Sequence, residues 1–186
     1  MKRVLDLMIS GAALLLAMPV MALVAAAIRL DSPGPAIFWS QRFGRGGRLF
    51  SMPKFRTMKV GTPQLPTHLL GDGTARLTRI GGFLRRSSLD ELPQLFSVLL
   101  GHMSLVGPRP ALFNQQDLMQ MRHDAGVDAL RPGITGWAQV NGRDALDLTE
   151  KVAYEAEYLK RQSLGFDCRI LWLTVLRVLD RKGITH

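Results

Sequence analysis

Residues 85–101 read RRSSLDELPQLFSVLLG. Two adjacent carboxylates, Asp90 and Glu91, follow two arginines and precede a proline, in a chain with 24 Lys and Arg against 15 Asp and Glu. One reading is structural. Ser88 as N-cap with Glu91 three residues on makes a capping box, and acids in a first helical turn gain about 0.3–1 kcal/mol from the helix dipole. It starts a helix near Ser88, runs it through FSVLLG and ends it at Gly101. Pro93 sits awkwardly in that scheme, one position past the donors that need no partner. The other reading is chemical. A helix start offers free N–H groups to an anion, a carboxylate there binds Mg²⁺ or attacks phosphorus, and Arg85 and Arg86 hold phosphate oxygens. A nucleophilic carboxylate gives an acyl phosphate and splits one transfer into two steps. The stretch alone leaves both open.

Two neighbouring features bear on the choice. In Gly107-Pro108-Arg109-Pro110 both prolines have fixed φ, and Pro110 also keeps Arg109 out of the helical region, which suits bidentate phosphate recognition or simply a rigid surface turn. Upstream, AIFWSQRFGRGGRLFSM reads as a β-hairpin around Gly44–Gly47. Lys54-Phe55-Arg56 follows it, two cations for phosphate, for anionic lipid heads or for solvent.

Further out, Leu7 to Ile28 is a run of 22 uncharged residues. As a helix it is about 33 Å long, close to the roughly 30 Å hydrocarbon core of a bilayer. A signal peptide is disfavoured by that length and by the basic segment that follows. A plain span has length on its side. Yet Lys2-Arg3 before the run and the arginines after it pull both ends toward the cytoplasm. Pro19, near the middle, predicts a kink. Together these features predict a re-entrant helix-break-helix, entering one leaflet and returning.

The remaining segments read more plainly. Val60 to Gly73 is a surface loop, and a polar helix spans about Leu112 to His123. RPGITGWAQVNGRD (131–144) is loop-like with short extended pieces. Asp147 and Glu150 form a capping-box pattern opening a helix to about Leu164. The last segment, CRILWLTVLRVLDRK, is an amphipathic helix with a polar stripe at Thr174, Arg177 and Arg181, suited to the headgroup region or to the protein core.

At 186 residues with 47% hydrophobic side chains, the chain is most simply one compact domain. A net charge of +9 predicts an anionic partner. Few aromatics (7%) turn that charge toward phosphate contact and away from stacking on nucleic-acid bases. The single cysteine, Cys168, excludes an intrachain disulfide, and the four histidines lack zinc-ligand spacing.

Taken in order, KRVLDL, LDSPGPAIFWSQRFGRGGRLFSMPKFRTM, ARLTRIGGFLRRSSLDELPQLFSVLLGHMSLVGPRP and RPGITGWAQVNGRD resemble the bacterial sugar transferase family, the monotopic phosphoglycosyl transferases that begin polyprenol-linked glycans. The resemblance implies a mainly α fold with a small β-hairpin, monotopic, with a re-entrant N-terminal anchor (residues 1–30) and a cytoplasmic-face catalytic domain (31–186) bearing interfacial amphipathic helices. It implies transfer of a sugar-1-phosphate from a UDP-sugar to polyprenol phosphate at the inner membrane, with release of UMP. Asp90 aligns with the family's nucleophile and Glu91 with its partner in Mg²⁺ binding or proton handling. Lys54, Arg85 and Arg109 align with phosphate-contacting cations, beside which Arg56 and Arg86 are further candidates, and Pro19 matches the proline of the helix break. Met18 stands where the family has a serine. The partners implied are the donor, the lipid acceptor, the bilayer and, compatibly, a second copy of the chain, but no nucleic acid. The rival reading is a membrane-tethered basic binding module without catalysis.

Overall fold

The computed structural model describes residues 1–63, 73–142 and 145–180. Most of the loop expected over Val60–Gly73, the end of the RPGITGWAQVNGRD block and Arg181 lie outside them. The architecture is mainly helical, with two small two-stranded sheets.

The apolar run lies in α1, Lys2–Asp31. It is 30 residues long and apolar enough to cross a membrane by length and composition. Pro19 lies inside this helix rather than between two helices, so the interruption expected at the proline does not occur. One face of α1 packs on the domain, buried near the two ends and partly buried between them. Asp6 and Ser10 are buried, Ala13 and Leu14 pack on the main core, Met21 and Ala25 on a second cluster, and Val24 and Ile28 are buried within it. That spacing of three and four is one stripe of a helix. The opposite face, including Leu15, Leu16 and Leu23, is exposed.

Both ends of α1 are tied to the same folded body. Lys2 Nζ donates to Asp167 at 2.7 Å and to the Val106 carbonyl at 3.1 Å. Arg3 donates to the carbonyls of Val98 and Leu99 at 2.6 and 2.9 Å. The Asp6 carboxylate accepts from Ser104 Oγ and from the Leu105 N–H at 2.9 and 3.1 Å. At the other end, Ile28 packs with Phe55 and Leu84.

The expected hairpin is β1 (Ile37–Phe43) against β2 (Leu49–Phe55), antiparallel, with Ser40 opposite Met52 and Phe38 opposite Lys54. Lys54 and Phe55 therefore belong to the second strand and do not follow it. Then come α2 (Gly81–Arg86), α3 (Gln94–Leu99), β3 (Ser104–Val106), α4 (Gln116–Asp124), β4 (Gly133–Thr135) and α5 (Trp137–Asn141). The polar helix α4 thus begins four residues later than expected. Strands β3 and β4 pair in parallel and sit in the main core with Val98, Met103, Tyr158 and Ile170. Helix α6 (Leu148–Arg161) opens on the expected capping box, Asp147 accepting from the Glu150 N–H and Glu150 from the Asp147 N–H. Helix α7 (Leu164–Asp180) buries Phe166 and Ile170 and leaves Trp172, Val175 and Leu176 exposed, so it has both a core face and a free apolar face.

Candidate active site

The stretch SLDELPQ does not form a capped helix start. Ser88 sits in the left-handed region at φ 56°, the lone non-glycine with positive φ among the described residues, and its side chain caps nothing. A β-carbon there is strained, and such strain persists only where the surroundings impose it. It turns the chain out of α2 into a single 3-10 turn, Leu89–Glu91, and α3 begins only after Pro93. The proline is the physical reason for the difference. It has no N–H to join a longer helix, so it ends the turn and caps the next one.

Glu91, freed from capping, accepts from Lys54 Nζ at 2.8 Å and lies 3.5 Å from the Arg109 guanidinium. Lys54 arrives from β2 and Arg109 from the proline-flanked turn, so three distant segments meet at one carboxylate. Arg85, on the last turn of α2, donates from Nε to Thr57 Oγ1 at 3.0 Å. Asp90 is only 8% exposed. Burial raises its pKa from 3.8 to about 6, against the pull of Lys54, Arg85 and Arg109 and with a smaller push from Glu91. Leu89 and Leu92 pack against a buried cluster made of Val24 and Ile28 of α1, Phe55 of β2 and Leu84 of α2. The membrane-length helix thus shares one apolar cluster with the carboxylate turn.

One of the expected cations is engaged elsewhere. Arg56 is buried and gives its guanidinium to the loop after α1, donating to the carbonyls of Pro33 and Ser32 at 2.5 and 2.8 Å. It fastens that loop and does not join the carboxylates. Arg86 is exposed, one helical step around from Arg85.

Arg42 was not among the expected site residues, and it belongs here. Its pKa is lowered to about 10, chiefly by burial and then by Arg109, while Glu91 opposes the shift. The hairpin's period of two could have found it. Residues 38, 40 and 42 pair with 54, 52 and 50, which puts Arg42 on the same sheet face as Lys54.

The arrangement has one shielded carboxylate with a high pKa, a second held by cations, and guanidinium and ammonium groups from three segments. It suits an anionic ligand approached by a carboxyl oxygen. Among the described residues no group of three or more His, Cys, Asp or Glu could hold a metal. Two adjacent carboxylates do fit a magnesium ion that takes its other ligands from phosphate oxygens and water.

The chain is 42% identical over 189 residues to the UDP-glucose:undecaprenyl-phosphate glucose-1-phosphate transferase of Xanthomonas campestris pv. campestris, covering 97% of this chain and 39% of that protein. The Escherichia coli K12 protein of the same name is 41% identical over 98% of this chain and 41% of its own length. The UDP-N-acetylgalactosamine-undecaprenyl-phosphate N-acetylgalactosaminephosphotransferase of Aeromonas hydrophila is 39% identical over 98% of this chain and 44% of its own. The chain therefore spans about two fifths of the length of these relatives. The family model for bacterial sugar transferases matches residues 1–181, and the chain belongs to that family.

Proposed function

We propose that the protein transfers a sugar-1-phosphate from a UDP-sugar to undecaprenyl phosphate at the cytoplasmic face of the inner membrane. The relatives' names pair these two substrates. The observation that carries the reading is the Asp90–Glu91 pair, one carboxylate buried and the other ion-paired, set among Lys54, Arg85 and Arg109.

In the first step an Asp90 carboxyl oxygen attacks the β-phosphorus of the donor. The bond from that phosphorus to the bridging oxygen breaks, UMP leaves with the electron pair, and Asp90 carries the sugar phosphate as an acyl phosphate. In the second, an oxygen of the lipid phosphate attacks the same phosphorus. The lipid-linked sugar pyrophosphate forms and the Asp90 carboxylate returns. A pKa of about 6 leaves Asp90 mostly ionised at pH 7 yet more basic than an ordinary aspartate, which favours the attack. Lys54 and Arg109, now on Glu91, are placed to receive donor phosphate oxygens, with Arg85 alongside. Bound at Asp90 and Glu91, Mg²⁺ would neutralise the pyrophosphate charge that opposes a carboxylate's approach.

The anchor is residues 1–30 and the catalytic domain 31–186. Because both ends of α1 hold the same domain, the helix enters one leaflet on its exposed face and does not carry its N-terminus across.

Incubation with labelled UDP-sugar and Mg²⁺ but no lipid tests the route. One equivalent of UMP should appear in a burst, with label on a peptide containing Asp90 and none after chelation of the metal. Active enzyme that shows neither burst nor labelled protein would exclude the covalent step.

A further inference from the structure

The Arg109 turn is gripped through its backbone. Pro108 and Pro110 have no N–H, so the carbonyls are its main handles. All three are taken. The Pro108 carbonyl accepts from the Gly133 N–H at 2.8 Å. The Arg109 carbonyl accepts from the Arg122 guanidinium at 2.9 Å, and the Pro110 carbonyl from the Arg42 guanidinium at 3.0 Å. Arg122 is itself fixed from behind by a buried fork to Glu155, at 2.8 and 2.5 Å. Arg42 is braced by Ser40 Oγ at 2.9 Å. Gly107 closes the base of the turn, since a β-carbon there would lie 2.3 Å from the Arg131 carbonyl.

We propose that Arg42 and Arg122 are positioning residues, two guanidinium groups that hold the backbone of the Arg109 turn from opposite elements so that the Arg109 side chain meets substrate phosphate at a set distance from Asp90. The inference rests on the phosphotransferase reading above for what Arg109 contacts, but not for the grip itself. A guanidinium fork suits the task because it makes several directed bonds at once, which an ammonium does not. Arg122 uses its fork on Glu155 and on the turn together. Lysine in its place can keep the ion pair with Glu155 but cannot also reach the Arg109 carbonyl in the same geometry. The grip comes from two sides, the hairpin through Arg42 and the α4–α6 pair through Arg122. The turn is thus registered against β2, which carries Lys54, and against the helical half of the domain.

Two measurements test this in the full-length protein. The first is hydrogen exchange at the Gly133 and Phe43 amides, which donate to the Pro108 and Ala111 carbonyls on either side of Arg109. Arg42→Lys and Arg122→Lys should each speed it by roughly tenfold, the loss of one charge-assisted bond. Unchanged exchange in both would overturn the grip, and this readout needs no substrate. The second is a cycle on kcat/KM for the UDP-sugar, followed as UMP release. Each lysine variant should lower it roughly ten- to hundredfold in the parent background and less than about twofold when Arg109 is already alanine. Equal losses in both backgrounds would overturn positioning through Arg109 and leave a merely structural ion pair. Should Arg122→Lys fail to accumulate, Glu155→Gln carries the same expectations. Parent enzyme that releases no UMP from any UDP-sugar would count against the proposed reaction, with the exchange result alone then deciding the grip.

Discussion

A carboxyl group whose burial raises its pKa costs stability when ionised, and Asp90 makes that testable. Its folded pKa is raised from 3.8 to about 6, chiefly by burial. The folded state therefore holds its proton more tightly than the unfolded chain does. Whatever stability this gives is complete below about pH 4 and is lost as pH rises through 6, at most about 3 kcal/mol. Asp90→Asn removes the charge and keeps the shape. It should abolish transfer while raising Tm at pH 7 by roughly 2–8 °C, and the gain should vanish near pH 4. Thermal melts of both proteins at the two pH values check this; a variant less stable at pH 7 would make Asp90 a structural residue. The same carboxylate sets the pH profile. Because it attacks in its ionised form, donor kcat/KM of the parent enzyme, read as UMP release, should fall about tenfold per unit below pH 6. Glu91 differs. With its carboxylate held by Lys54 and Arg109, Glu91→Gln should weaken donor and Mg²⁺ binding and leave the fold's Tm within a few degrees, read as a raised KM for both.

Elements were legible where local chemistry and tertiary need agreed. The hairpin follows from Gly44–Gly47, and α6 from Asp147 and Glu150, because each turn or cap is satisfied by residues within a few positions. At Ser88 and Glu91 the same box pattern misleads, since Lys54 from β2 competes for Glu91 and Pro93 divides the helix. The pairing of β3 with β4 leaves no local trace: three residues each, mostly buried, paired with residues 29 positions away in the chain. The carboxylates and three of their cations were likewise readable, whereas Arg42 and Arg122 act on carbonyls far away in sequence. One element deserves a direct test. Strand β3 is held to α1 by Asp6, buried and accepting from Ser104 Oγ and the Leu105 N–H. Asp6→Ala leaves both donors shielded without partners and should destabilise by about 2–4 kcal/mol. Denaturant unfolding in detergent measures it, and a change under 0.5 kcal/mol would mean water replaces the carboxylate there.

Across the whole molecule, the membrane-length helix and the carboxylate site are one structure. Polar groups at positions 2, 3 and 6 dock α1 on β3, α3 and α7, while positions 24 and 28 join Phe55 and Leu84 in the cluster on which Leu89 and Leu92 pack. A helix crossing the bilayer would put one of these ends on the far side and leave Lys2, Asp167 and Asp6 without each other or their backbone partners, several buried polar groups at about 1–3 kcal/mol apiece. Keeping every contact instead lets the exposed leucines enter one leaflet from the side that holds the site. The +9 net charge of the chain suits an anionic partner. The topology is measurable after replacing exposed Cys168 by serine. Single cysteines at Val4 and at Arg45 in the hairpin turn should both react with a membrane-impermeant maleimide in inverted inner-membrane vesicles and neither in intact spheroplasts. A Val4→Cys probe labelled only from the outer side would mean that α1 crosses and that the Lys2, Arg3 and Asp6 contacts break in the membrane.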